Sequence, residues 1–174
     1  PAYHANVLLM LVQSYLQVRK PLDAEKAAAA LWKNFRETPH VEQALAALAY
    51  HYDQRQRRAS DADRKPLLKK AADFTKQWLS LTPAKEQDAK DLRRLGYMYY
   101  DLGDLPQAQE FLEGSLEKMK PIVVQRDQNW LFRLCEIYMA QDNPRKALPW
   151  LKRLACANGD DEKAVDEMAK TLAQ

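Results

Sequence analysis

Residues 92–116 read LRRLGYMYYDLGDLPQAQEFLEGSL, and this stretch decides the fold because it encodes two short helices and the reversal between them. Leu92, Leu95, Met98, Tyr99 and Leu102 recur at spacings of three and four, the period of one helical face, while Lys90, Arg93, Arg94 and Asp101 occupy the rest of the circumference. Gly103 can take a positive φ where that helix ends, Asp104 can cap the next helix, and Pro106 suits a first helical turn. The second helix carries Ala108, Phe111, Leu112, Ser115 and Leu116 on its apolar side. Small residues at Gly96 and Ala108, one per helix, let the two backbones approach closely.

A Leu-Gly pair at Leu95 and Gly96, a tyrosine at Tyr99 and an alanine nine residues further on at Ala108 resemble the tetratricopeptide repeat family. Leu92 stands where that family most often has Trp, and Pro121 lies close to its closing proline. Phe111 and Leu112 straddle the position where the family prefers an aromatic residue.

The pattern recurs along the chain. In the first unit Leu8, Leu11, Val12 and Tyr15 precede Ala24, again nine residues after the tyrosine, with Pro21 opening the second helix and Pro39 closing the unit. The second unit has Val41, Leu45, Leu48, Ala49 and Tyr52, but its alanine, Ala71, comes nineteen residues after the tyrosine. The ten extra residues fall in the polar, basic stretch 53–65, which can lengthen both helices or project as a loop before Pro66 starts the next helix. In the fourth unit Leu131, Leu134, Cys135 and Tyr138 precede Ala147, nine residues on, with Cys135 replacing the family's glycine. Beyond Asn158 and Gly159, the run Asp160, Asp161, Glu162 suits the positive end of a helix dipole, and its stripe of Ala164, Val165, Met168, Ala169 and Leu172 suits a capping helix.

The resemblance therefore implies an all-α fold, a right-handed superhelix of stacked antiparallel hairpins. Its expected parts are one domain over 1–174 with repeats at 5–39, 41–83, 89–121 and 128–159 and a capping helix at 160–173. Composition agrees: four glycines in 174 residues, abundant helix formers and 47% hydrophobic content favour a folded helical chain. The net charge of +3, from 27 basic against 24 acidic residues, is too slight to imply a nucleic-acid partner. The longest apolar run, residues 7–12, is far too short to span a bilayer, no targeting segment is present, and the start at Pro1 without Met is expected of a piece of a longer protein. That run is apolar all the way round, so a preceding repeat, a second copy or a partner is expected to cover it.

Chemistry is sparse. His4, His40 and His51 stand in no two-ligand helical spacing, Asp61 and Asp63 lie in a charged insertion without a Gly-rich phosphate loop, and no serine lies in a nucleophile-elbow sequence. Cys135 and Cys156 are too few for a disulfide framework and are expected at different levels of one hairpin. No cofactor, metal or enzymatic activity is expected. The basic cluster Arg55, Arg57, Arg58, Arg64, Lys65, Lys69 and Lys70 contains interleaved acids and no aromatic residue, which favours an ordinary charged surface.

In the family it resembles, the first helix of each hairpin lines a concave groove that holds partners. Helical phase assigns to that groove Asn6, Leu9, Met10 and Gln13, then Gln43, Ala47, Tyr50 and Gln54, then Lys90, Arg93, Arg94, Tyr97 and Asp101, then Asn129, Phe132, Arg133 and Glu136. Lys90 and Arg94 match the later half of a chaperone-terminus clamp, but Leu9 and Gln13 stand where its first half belongs, so that clamp is not expected. The reading is a protein-interaction scaffold whose partner is an acidic segment with apolar anchors. Alternatively the cations pair with Asp101 and Glu136. A structural module of a larger export or assembly machine is the second reading, and an RNA-binding helical repeat the third.

Overall fold

The computed structural model describes residues 2–118 and 128–157, with side chains for 3–118 and 131–152. The expected capping helix, Pro121, Asn129 as a side chain and Cys156 as a thiol lie outside that description. Eight helices are described: α1 (Ala2–Gln17), α2 (Pro21–Asn34), α3 (Pro39–Gln56), α4 (Asp61–Leu79), α5 (Ala89–Leu102), α6 (Leu105–Lys118), α7 (Gln128–Ala140) and α8 (Pro144–Ala157). A single 3-10 turn, Ala84–Glu86, follows α4, and there is no strand among the described residues. The fold is all-α and tetratricopeptide-like, with consecutive helices packed pairwise as antiparallel hairpins. The chain divides into two compact units, Pro1–Gln87 and Asp88–Gln174, each holding two hairpins.

Three of the four reversals are the same object. Each begins at the repeat tyrosine, whose main-chain carbonyl accepts the amide five residues on: Lys20 to Tyr15 at 2.8 Å, Asp104 to Tyr99 at 2.9 Å and Asn143 to Tyr138 at 2.9 Å. The inner amide closes a second bond, Arg19 to Leu16 at 3.2 Å, Gly103 to Tyr100 at 3.0 Å and Asp142 to Met139 at 3.1 Å. This pair of bonds is a Schellman motif, and it requires a left-handed residue four past the tyrosine. That residue is Gly103 at φ 84°, as expected, but Arg19 at φ 58° and Asp142 at φ 55° in the other two hairpins. After the third turn Asp104 caps α6, its carboxylate accepting the Gln107 amide at 3.3 Å.

The second hairpin replaces that turn. Its insertion extends both helices, so α3 runs on to Gln56 and α4 starts at Asp61, where the Ser60 hydroxyl caps by accepting the Asp63 amide. Pro66 therefore does not start the helix, as residue pattern alone suggests, but sits in its second turn. A cap and two acids in the first turn anchor the helix upstream, and the proline forfeits only one intrahelical hydrogen bond. The added turns bury Asp53 and Gln56, which the composition had marked as solvated. Arg57 pairs with Asp53 at 3.1 Å, Gln56 donates to Asp53, and Arg64 donates to Gln56, so the buried polar groups are satisfied.

Packing inside each hairpin follows the small residues. A Cβ built on Gly96 would stand 2.7 Å from Leu112 Cγ, so the glycine is what lets the fully buried Leu112 seat against α5. Phe111 then stacks on Tyr99 with ring centroids 5.6 Å apart, and the two residues divide the role expected of one aromatic. Phe74 stacks on Tyr52 in the same manner at 5.8 Å. Ser115, fully buried, donates to the Ala89 carbonyl at 2.7 Å.

Neighbouring hairpins within a unit are tied through the tyrosine hydroxyls. Tyr52 donates to Glu25 of the preceding hairpin, and Lys70 reaches the same carboxylate at 2.6 Å. In the second unit Tyr138 donates to Glu113 at 2.5 Å, with Lys146 at 3.9 Å. Both lysines immediately precede the repeat alanine and lie over the tyrosine ring. Burial first, then the carboxylate bond, raises both phenol pKa values.

The first helix departs from its expected phase. Its buried stripe is Ala5, Leu9 and Val12, so Leu9, expected in the groove at this point, is 6% exposed and belongs to the core, while Leu11 faces outward. An all-round apolar helix offers no polar face to set its rotation, and contacts with α2 and α3 choose it instead.

Two outcomes follow for stability. Arg19→Gly should raise the urea midpoint, because relieving a left-handed arginine (about 1–2 kcal/mol) outweighs the added chain entropy of glycine (about 0.5–1 kcal/mol). An unchanged or lowered midpoint contradicts the turn geometry. Gly96→Leu should overpack the α5–α6 seam and cost about 1–3 kcal/mol, read as a lowered melting temperature.

Candidate functional site

In the first unit, α1, α3 and the start of α4 enclose an open groove of about 1080 Å³. Gln13 and Gln17 contribute from α1, Ala47, Tyr50, His51, Gln54 and Arg55 from α3, and Arg58, Ser60, Asp63 and Pro66 from the turn and the start of α4. Of the residues assigned to a groove by phase, Gln13, Ala47, Tyr50 and Gln54 are brought together here. Tyr50 keeps 61% of its surface exposed, large for an aromatic on a helix of this kind.

Reading the 53–65 stretch as plain surface misses Arg55, Arg58, Ala59, Ser60 and Asp63 as lining residues. The signal was present: Ala47, Tyr50, Gln54 and Arg58 continue one stripe at spacings of three and four. Using it required knowing that α3 runs on to Gln56 and that Arg58 follows in the turn bonded back to Arg55. The stretch sorts its own arginines. Arg57 and Arg64 turn to Asp53 and Gln56, whereas Arg55 and Arg58 are exposed in the groove lining, with no ion pair among the described residues.

His51 also lines the groove, its Nε2 buried without a hydrogen-bond partner and its ring edge-on to Tyr52. Burial, and then the Arg55 charge, lower its pKa below the ordinary 6.5, so the ring is neutral at pH 7.

In the second unit the residues assigned by phase form a laced face between α5 and α7. Arg133 donates to Asp101 at 3.1 Å and lies over the rings of Tyr97 and Tyr100, at 5.0 and 4.8 Å from their centroids. Tyr100, absent from the phase assignment, donates to Glu136 at 2.7 Å. That bond, with burial, raises the Tyr100 pKa. Lys90 is exposed in the first turn of α5, and Arg93, Arg94 and Tyr97 are half-buried. Phe132 projects from α7 with 56% of its surface exposed. Cys135 is a buried free thiol whose pKa is pushed up to about 11 by burial and the Glu136 charge, which leaves it protonated and unreactive. Among the described residues no group of three His, Cys, Asp or Glu side chains could hold a metal ion, and no helix is long and apolar enough to cross a membrane.

No family model matches the chain, and no curated protein matches it. Two crystal structures of TPR-like repeats from Podosopora anserina, described as nearly identical repeats of a kinesin light chain, are similar to it in backbone course. One shares 17% identity over 95% of this chain and 92% of that one, the other 16% over 97% and 94%, each with a TM-score of 0.47. The tetratricopeptide-like character of this chain rests on its own hairpins and the recurrent tyrosine-anchored turns.

The lowered His51 pKa carries a pH consequence. The unfolded chain binds this proton more readily than the folded one, so stability rises with pH through the window below about 6.5 and falls on acidification. Urea titrations should show part of the acid loss between pH 7 and 5 disappearing in His51→Gln; an identical pH slope in both proteins would assign that loss to other groups.

Proposed function

We propose that the chain is a non-enzymatic scaffold that binds a peptide or protein segment along the first helices of its hairpins. Gln13 and Tyr50 contribute from the first unit, and Lys90, Arg93, Arg94, Tyr97, Asn129, Phe132, Arg133 and Glu136 from the second. The observation that carries this reading is the pair of large aromatics, Tyr50 and Phe132, left 61% and 56% exposed on α3 and α7. Covering each would be worth about 1.5–3 kcal/mol, and flat aromatic surface at low entropic cost is what recognition sites use. Arg55 and Arg58, which line the same groove as Tyr50, suit an acidic segment with apolar anchors.

A second reading, a structural module stacked within a larger export or assembly machine, is favoured by one observation. The outer side of α1 exposes Tyr3, Val7, Met10 and Leu11, with Met10 at 58%. A neighbouring repeat, a second copy or a partner covering that face would account for the run being apolar all round.

Panning the intact chain against a random peptide display library tests the first reading. Enriched peptides should lose binding to Tyr50→Asp together with Phe132→Asp, both surface changes that leave the melting temperature unaltered. No enrichment over bare resin, or enriched peptides indifferent to both changes, would remove the scaffold reading and leave the structural module.

A further inference from the structure

We propose that the groove of the first unit takes an extended polypeptide segment with acidic side chains at alternate positions, one carboxylate received by Arg55 and the next by Arg58. This deepens the scaffold reading and rests on it.

The size and lining of the groove suit a polypeptide segment. At about 1080 Å³ it lies at the upper limit of small-molecule pockets, roughly 300–1,000 Å³. Here Gln13, Gln17 and Gln54 present amides that both donate and accept, the complement of a peptide main chain. Tyr50 supplies one flat apolar surface between them.

Charge selects which segment. Two arginines face one acid in the lining, and that acid, Asp63, receives the Ser60 hydroxyl at 2.8 Å in the first turn of α4, where the helix dipole already favours its charge. Neither Arg55 nor Arg58 has an ion pair among the described residues, although Arg57 between them is paired to Asp53. Each guanidinium is a planar fork that holds one carboxylate bidentately, so a single chain-terminal carboxylate would leave one fork empty. Spacing then sets the register. The Arg58 amide donates to the Arg55 carbonyl at 3.1 Å in the turn that follows α3, so the two residues stand about one helical turn apart, roughly 5 Å. Alternate side chains of an extended strand point the same way about 6.6 Å apart, a difference that two long arginine stems absorb. A Glu-x-Glu segment with an apolar residue nearby for Tyr50 meets both forks at once.

The test uses the full chain and fluorescent Gly/Ser peptides, acetylated and amidated, whose core is Glu-Leu-Glu or Gln-Leu-Gln, read by anisotropy at low and physiological salt. The Glu-Leu-Glu peptide should bind about tenfold or more tightly than its Gln counterpart, weaken as salt rises, and lose that advantage in R55Q/R58Q and in R55E/R58E with circular dichroism unchanged. Equal binding of the two capped peptides, or an advantage that survives in both double variants, overturns the proposal. So does binding that needs an uncapped carboxyl terminus, or that a phosphoserine peptide alone achieves. If display selection still yields peptides dependent on Tyr50 and Phe132, the scaffold reading outlives this inference; if it yields none, both fall.

Discussion

The main-chain carbonyl of one tyrosine per hairpin is the point on which the architecture turns. In three hairpins it accepts the amide five residues on and so fixes where the first helix stops and in which direction the second leaves. The rings of Tyr52 and Tyr99 meanwhile stack in their hairpin seams, and the hydroxyls of Tyr52 and Tyr138 reach back to a glutamate of the preceding hairpin. A single residue type thus sets the reversal through its backbone, the hairpin seam through its ring and the hairpin stack through its oxygen. The nine-residue spacing from tyrosine to alanine is the sequence trace of this arrangement, since a turn of constant geometry places the close-approach residue of the second helix at constant distance.

Where the constraint is lifted, the surface changes. The second hairpin has ten extra residues and no tyrosine-anchored turn, so α3 and α4 run on past the level at which the others reverse. The added turns needed their own internal glue, supplied by Asp53, Gln56, Arg57 and Arg64. They also carried Arg55 and Arg58 onto the groove stripe. An insertion that composition marks as polar surface therefore buries Asp53 and Gln56, and it lengthens the wall of the groove.

The two faces differ in how their charges are spent. On the second unit Arg133 is engaged by Asp101 and by two aromatic rings, and Glu136 by Tyr100, so these groups rigidify one another. In the first unit the groove arginines lack such partners among the described residues. A bound acidic group would displace water alone there, whereas at Arg133 it would have to compete with Asp101.

Sequence by itself determined the helical class, the pairing into hairpins, the close contact at Gly96, the left-handed end at Gly103 and the solvent-facing aromatics Tyr50 and Phe132. Each of these follows from local chemistry: a 3.6-residue apolar period, a missing Cβ, or a helical phase counted over a few residues. Only the tertiary structure decided the rest. It rotated α1 to bury Leu9, because an all-round apolar helix carries no contrast to set its phase. It forced Arg19 and Asp142 into the conformation of Gly103, because the second helix must return onto the first whatever residue stands at the corner. It carried α4 upstream through Pro66 and, by extending α3, chose which arginines line the groove, because burial of Asp53 and Gln56 depends on residues that meet only when both helices are already packed.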